Sequence, residues 1–183
     1  MSDPAVPEAS QEYHLTPHEH VTILRHTPEL LEAEVRYEPG STAPVAHRHP
    51  QQFERFLVLE GRVRMTIAGT ERVLRPGDTA TIAKGRTHAM TADGDSAARM
   101  IWQTSPALET KAWWAGLDAL VTAYGGEPPL PATARLLRRH HREFALALPG
   151  PLARLAVELL ARLPARAPQR DAGAPAATAS PTT

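Results

Sequence analysis

The sequence predicts a mainly β protein, either a sandwich or a closed barrel of short strands, followed by C-terminal α-helices. Between residues 21 and 104, short apolar or alternating runs are separated by turn-forming residues at nearly regular intervals. After Pro106 the hydrophobic pattern changes, and apolar residues recur at the three- and four-residue spacing of helices. The pattern alone does not choose between a sandwich and a barrel.

The strand predictions depend on alternation and on the turns that separate the strands. Val63, Met65 and Ile67 alternate with polar residues, which is the period of a half-buried strand. Clusters of Gly, Pro and Asp mark the intervening turns. The predicted strands span residues 21–26, 31–37, 53–59, 62–67, 71–74, 79–82, 87–91 and 98–104.

Three helices are predicted after the strands, with Gly- and Pro-rich breaks between them. They span residues 108–123, 131–148 and 152–163. Residues 1–18 and 164–183 lack apolar periodicity and are rich in Pro, so we expect a disordered arm and a disordered tail. The expected organisation is an arm at 1–18, a β domain at 19–105, a helical extension at 106–163 and a tail at 164–183.

Composition restricts the possible functions of this 183-residue chain. Twenty basic and twenty acidic residues give a formal net charge of zero, so electrostatics provide no basis for a nucleic-acid or membrane partner. The absence of cysteine excludes disulfides and thiolate chemistry, and it fits a cytoplasmic location. We expect neither a signal peptide nor a membrane-spanning helix, which needs about 18 apolar residues.

Four residues in the strand region are candidate metal ligands: His47, His49, Glu54 and His88. The first two are two residues apart, so on a strand both side chains point to one face. Imidazole nitrogens with one carboxylate suit Fe, Mn, Co, Ni, Cu or Zn in the divalent state. The spacing therefore predicts a site for one transition metal ion of undetermined identity, and no organic cofactor.

The segments around these residues resemble the two motifs of the cupin family. In the first, His47-Arg48-His49, four residues, Glu54, six residues and Gly61 follow the family pattern, with Gly40 one residue further away than usual. The second motif is carried by three matching positions and two departures. Gly77, Gly85 and His88 match, whereas Ala83 replaces a proline and Ala92 an asparagine.

The resemblance implies the cupin double-stranded β-helix barrel, and metal ligation by all four candidates. It also implies a family of dioxygenases, decarboxylases, isomerases and cyclases that commonly form homodimers. We therefore expect a metal-dependent enzyme for a small organic substrate, either dioxygenase-like or a Lewis-acid isomerase or cyclase. The alternative is a non-catalytic small-molecule-binding or sensor protein whose helices contact a partner or membrane surface.

Side chains that share strand parity with the ligands are candidates for a substrate pocket, although they would equally suit the core. They are Phe56, Met65, Met90 and Trp102. Glu54 is also the candidate catalytic residue, as a carboxylate that leaves the metal to carry a proton. Gln51, Gln52, Thr87 and Thr91 are candidate hydrogen-bond partners of the ligands.

Two further groups of residues have less specific patterns. His14, His18 and His20 fall at the predicted disordered arm, so we do not expect a metal cluster there. The basic cluster, defined as Arg135, Arg138, Arg139, His140, His141 and Arg142, is interpreted as a solvated helix face. A helix that binds a membrane surface or a partner is the alternative interpretation.

Overall fold

The computed structural model describes residues 11–148 and 150–168, and the remaining residues lie outside the described parts. Strands dominate residues 12–105, and three helices follow within the described ranges, so the predicted mainly β architecture with C-terminal helices is confirmed. Every paired strand runs antiparallel to its neighbour.

The strands form two sheets that face each other. The six-stranded sheet has the order β1-β2-β3-β10-β5-β8, and the five-stranded sheet has the order β11-β4-β9-β6-β7. The first five strands are β1 Glu12–Thr16, β2 Glu19–His26, β3 Leu31–Tyr37, β4 His47–Arg48 and β5 Phe53–Glu60. The others are β6 Val63–Ile67, β7 Thr70–Leu74, β8 Thr79–Ile82, β9 His88–Ala92, β10 Ala98–Ser105 and β11 Ala145–Leu146.

Alternating burial along the strands creates the core between the sheets. On β3, Leu31, Ala33, Val35 and Tyr37 are buried while the residues between them are more exposed. The same alternation on β5 buries Glu54 together with Phe56 and Val58. Side chains two positions apart on a strand point to the same face. A polar residue that is two positions from a core residue therefore also points into the interior.

The predicted disordered arm at residues 1–18 is wrong over its second half, because Glu12–Thr16 forms β1. Tyr13 pairs with Val21 of β2 and is only 1% exposed. Its ring lies 6.4 Å from that of Trp114 in the helical extension. Burial of one aromatic ring against a distant helix orders this segment, a contact that local composition does not reveal.

The helices are α1 Thr110–Ala123, α2 Leu130–Arg139 and α3 Gly150–Arg162. The single helix predicted over residues 131–148 is wrong after Arg139, where a turn leads into β11. β11 pairs with β4, so the strand pairing overrides the helical spacing of the leucines. No helix in the described ranges is long and apolar enough to cross a membrane.

Candidate metal centre

The four predicted ligands meet between the two sheets. His47, His49 and His88 each offer a ring nitrogen, and these nitrogens lie within 4.8 Å of one another. Glu54 Oε1 is 3.2 Å from His49 Nε2, and Glu54 Oε2 is 3.1 Å from His88 Nε2. No side chain of the four is more than 8% exposed.

Strand pairing explains how residues distant in the sequence reach one point. His47 of β4 is the direct cross-strand partner of His88 of β9 in the five-stranded sheet. Glu54 belongs to β5 of the other sheet, where it pairs with Thr104 and Ile82. The site therefore bridges the two sheets, with the imidazoles from one side and the carboxylate from the other.

A backbone carbonyl orients each imidazole ring. Nδ1 of His47 lies 3.0 Å from the Val45 oxygen, and Nδ1 of His88 lies 3.0 Å from the Arg86 oxygen. Nδ1 of His49 lies 2.5 Å from the oxygen of Glu143. A carbonyl oxygen only accepts, so Nδ1 carries the proton in all three rings. In the neutral form, each Nε2 then presents a lone pair.

These lone pairs face the carboxylate of Glu54, which also offers only lone pairs when ionised. Consistent with this, His49 Nε2 and Glu54 Oε2 are buried without a hydrogen-bond partner among the described residues. Glu54 Oε1 accepts a hydrogen bond of 2.9 Å from Trp102 Nε1, which fixes that oxygen. Four electron-pair donors turned toward one another fit a divalent metal ion in the space between them.

The electrostatics of the site favour the protonation states that metal ligation needs at His47, His49 and Glu54, but not at His88. Burial, followed by repulsion from His88 and His49, lowers the pKa of His47 to about 3, so this ring is neutral at pH 7. Burial also lowers the pKa of His49. Burial opposes ionisation of Glu54, but the neighbouring histidines outweigh it and hold the pKa of its carboxyl below the usual value. For His88, burial lowers the pKa, but the nearby charge of the Glu54 carboxylate outweighs it and raises the pKa.

Comparison with known proteins agrees with this geometry. Residues 33–104 match the cupin domain family. This part of the chain is a cupin domain. Cupins commonly bind a metal, and all three histidines of the group lie within the matched residues. No curated protein sequence matches the chain.

Solved structures support the same fold. KdgF from Halomonas sp. is 23% identical, with a TM-score of 0.51 over 55% of this chain and 92% of its own. An RmlC-like cupin from Shewanella frigidimarina is 20% identical, with a TM-score of 0.52 over 60% of this chain and 96% of its own. At these identities the likeness shows the cupin barrel alone.

The predicted pocket residues all face the interior of the cupin barrel. Phe56 and Met65 are 1% exposed and Met90 is 7% exposed, and the three belong to the hydrophobic core. Trp102 packs against this core, 5.8 Å from the Phe56 ring, and donates its hydrogen bond to Glu54. Trp102 is therefore the pocket candidate that forms a hydrogen bond with a predicted ligand, Glu54.

The glutamines predicted to support the ligands make most of their hydrogen bonds elsewhere, although Gln52 is also close enough to His49 to counter the lowering of its pKa by burial. Gln52 Nε2 donates to the oxygens of Pro106 and Ala107 and to Thr110 Oγ1, which ties β5 to the start of α1. Gln51 Oε1 accepts hydrogen bonds from Arg142. Backbone carbonyls orient the imidazoles instead, and sequence spacing carries no signal for them.

The segment between α2 and α3 covers the candidate metal centre, a role that the sequence reasoning missed. The Phe144 ring stacks on His47 with centroids 4.4 Å apart and planes 15° apart. Its neighbour Glu143 supplies the carbonyl for His49, and Trp113 of α1 stacks behind Phe144 at 5.0 Å. The helical extension therefore completes the site, and the one hint in the sequence was an aromatic residue, Phe144, next to the basic cluster.

A second group of candidate ligands lies on the surface, in the hairpin of β1 and β2. Glu12, His14 and His20 each offer one ligand atom within 4.8 Å of the others. His14 and His20 are direct cross-strand partners, and Asp118 of α1 accepts hydrogen bonds from His14. His18 does not join this group. The exposed position distinguishes it from the buried centre.

Proposed function

We propose that this cupin is a metal-dependent enzyme for a small organic substrate. One divalent transition metal ion is held by Nε2 of His47, His49 and His88 and by the carboxylate of Glu54. One observation carries this proposal: the three Nδ1 atoms are each committed to a backbone carbonyl, so three Nε2 lone pairs converge on an ionised, buried carboxylate.

The chemistry supplied by such an ion, when bound, is either dioxygen-dependent oxidation or Lewis-acid isomerisation or cyclisation. The chain's own part is to orient and to exclude water. The carbonyls of Val45, Glu143 and Arg86 fix the rings, while Trp102 fixes one oxygen of Glu54. The other oxygen, Oε2, has no hydrogen-bond partner in the described chain. We assign to it the uptake of a substrate proton.

Elemental analysis of the purified protein tests the metal site. We expect one equivalent of a transition metal in the wild type after removal of loosely bound ions, and loss of that equivalent in His49→Ala. His20→Ala, from the exposed group, is the matched control and should keep the equivalent. Equal metal content in wild type and His49→Ala would contradict the proposal.

The second candidate function is non-catalytic binding of a small ligand. It is favoured by the cover over the site, since Phe144 stacks on His47 and leaves it only 7% exposed. Incubation of the metal-loaded protein with candidate substrates separates the two functions. An enzyme consumes dioxygen or converts the compound, whereas a binding protein returns the compound unchanged at one equivalent.

We also propose a homodimer that uses one face of α3. Leu152, Leu155, Leu159 and Leu163 recur at helical spacing, and each is at least 50% exposed. Light scattering of the purified protein measures its mass directly. A cytoplasmic location and the absence of a nucleic-acid partner stay predictions from the composition.

A further inference from the structure

A groove separates the edge of the barrel from α2 and α3. Its volume is about 880 Å³, which is within the range of small-molecule sites. Leu137, Phe144, Leu146 and Val157 supply much of its apolar wall. A half-open groove of this size with a largely apolar wall is suited to the body of an organic molecule.

The rim of this groove is strongly basic. Arg48, Arg138, Arg142 and Arg154 line it against the single carboxylate of Glu158, which leaves an excess of three positive charges. The basic cluster of the sequence is therefore divided, because Arg138, His141 and Arg142 face the groove. By contrast, Arg135 donates to the Ala161 and Leu163 oxygens of α3 and its end.

Of the four guanidinium groups, one has a carboxylate partner among the described residues, one bonds to a neutral amide, and two have neither. Arg138 lies 3.7 Å from Glu158, and Arg142 donates to the oxygen of Gln51. Arg48 and Arg154 have no acidic partner among residues 11–148 and 150–168. Arginine holds carboxylate, sulfonate and phosphate oxygens through paired N–H donors, so these two side chains are suited to an anionic group.

Phe144 joins the groove to the candidate metal centre. Its ring is part of the groove wall, and the same ring stacks on His47. Arg48 follows His47 on β4, pairs with Ala145 of β11 and lines the same groove. A molecule in the groove therefore contacts the side chain that covers the histidines.

We propose that the groove binds an organic anion, with the anionic group at Arg48 and Arg154 and an apolar body against Phe144. Such an anion is the substrate class of the neighbouring metal site. That the anion is the substrate of the metal site rests on the proposed function, whereas anion binding in the groove does not.

The test compares two probes of nearly equal shape, 2-naphthoate and 2-naphthamide, by isothermal titration calorimetry. The expected result for the full chain is one naphthoate site, with an affinity about tenfold or more above that for the amide. Added NaCl should weaken naphthoate binding and leave amide binding unchanged. Absent or equal binding of the two probes would overturn the proposal.

Variants locate the site. In Arg48→Gln/Arg154→Gln, the preference for naphthoate should disappear. It should persist in Arg72→Gln, which removes an exposed arginine from β7 at the opposite edge of the same sheet. A preference that survives in the double variant would place the anion elsewhere and overturn the assignment.

The same titrations on metal-loaded and chelator-treated protein separate the two proposals. Metal retention without naphthoate binding would reject the groove and leave the metal centre. Naphthoate binding by a protein that retains no metal would reject the proposed function and leave the groove as an anion site. In Phe144→Ala, naphthamide binding should weaken, because both probes use the apolar wall.

Discussion

At the scale of single residues, each ligand histidine uses its two ring nitrogens differently. Nδ1 donates to a backbone carbonyl, which determines the tautomer and the direction of Nε2. Glu54 is held in a similar way by the indole of Trp102. The supporting contacts are therefore as important to the site as the ligands themselves.

Replacement of Trp102 by Phe should weaken metal binding by about 10- to 100-fold, because Glu54 Oε1 loses its hydrogen-bond donor. A competition titration against a chelator of known affinity measures the change. Trp114→Phe is the matched control, since Trp114 is also a buried tryptophan beside Trp102, but the hydrogen bond to Glu54 comes from Trp102. Equal metal affinities in both variants would show that the indole N–H does not support Glu54.

Glu19 of β2 should make stability depend on pH. Burial raises the pKa of Glu19 to about 7 from 4.5, and its Oε1 lies 3.5 Å from the Tyr37 hydroxyl. The folded state then holds the proton more strongly than the unfolded state. The stabilisation of the folded state by protonated Glu19 is fully present below pH 4.5 and is lost as the pH rises through 7.

Glu19→Gln removes this dependence. Between pH 4.5 and 8, the free energy of unfolding of the variant should rise relative to wild type by roughly 1–3 kcal/mol. Urea denaturation at several pH values measures the difference, so that other titrating groups cancel. Glu29→Gln, in an exposed turn, is the control and should show no such trend. A pH-independent difference for Glu19→Gln would refute the account.

At the scale of elements, the segment from residue 140 to 148 connects the helical extension to the site. β11 pairs with β4, next to two of the histidines, and the Phe144 ring covers His47. This short strand completes the edge of the five-stranded sheet. The extension is thus part of the wall of the cupin barrel and is not an appendage to it.

Phe144→Ala should expose His47 and speed metal release. The ring is half-buried, so its loss should lower the barrier to metal release by about 1–2 kcal/mol. Since about 1.4 kcal/mol corresponds to a tenfold change in rate, metal release should be roughly tenfold faster. Stopped-flow transfer of the metal to a coloured chelator measures the release. Leu148→Ala, an exposed position at the end of the same segment, should release metal at the wild-type rate. Equal rates for Phe144→Ala and wild type would show that the ring is not a cover.

The turn between β5 and β6 requires glycine at position 61. Gly61 has a φ of 70°, and a Cβ there would collide with the carbonyl oxygen of Ala97. Gly61→Ala should therefore lower the free energy of unfolding by about 3 kcal/mol or more. Gly69 also has a positive φ, but a Cβ there meets no atom within 4 Å. Gly69→Ala should cost only about 1 kcal/mol, and equal losses would contradict the steric explanation.

At the scale of the whole molecule, the sequence was sufficient for the parts that depend on local pattern. Alternation and turns predicted most strands and the mainly β class, and ligand spacing predicted which histidines converge. The short strands β1, β4 and β11 were not predicted, and β1 and β11 are ordered by contacts with residues remote in the sequence. Tyr13 packs against Trp114, and β11 pairs with β4.

The supporting atoms of the candidate site were beyond sequence reasoning for the same reason. The carbonyl of Glu143 reaches His49 across 94 positions of the chain, and any residue type offers a carbonyl. Trp102 was expected in the pocket, but its hydrogen bond to Glu54 depends on the register of β10 against β5. Sequence spacing predicts the ligand set, whereas strand register decides how the ligands are held.

Anomalous diffraction at the absorption edge of the bound metal tests the central claim most directly. The account predicts one strong peak about 2.0–2.2 Å from Nε2 of His47, His49 and His88 and from a Glu54 oxygen. The peak should be absent from crystals of His49→Ala. A metal-containing crystal with no peak there, or with its only peak at Glu12, His14 and His20, would contradict the account.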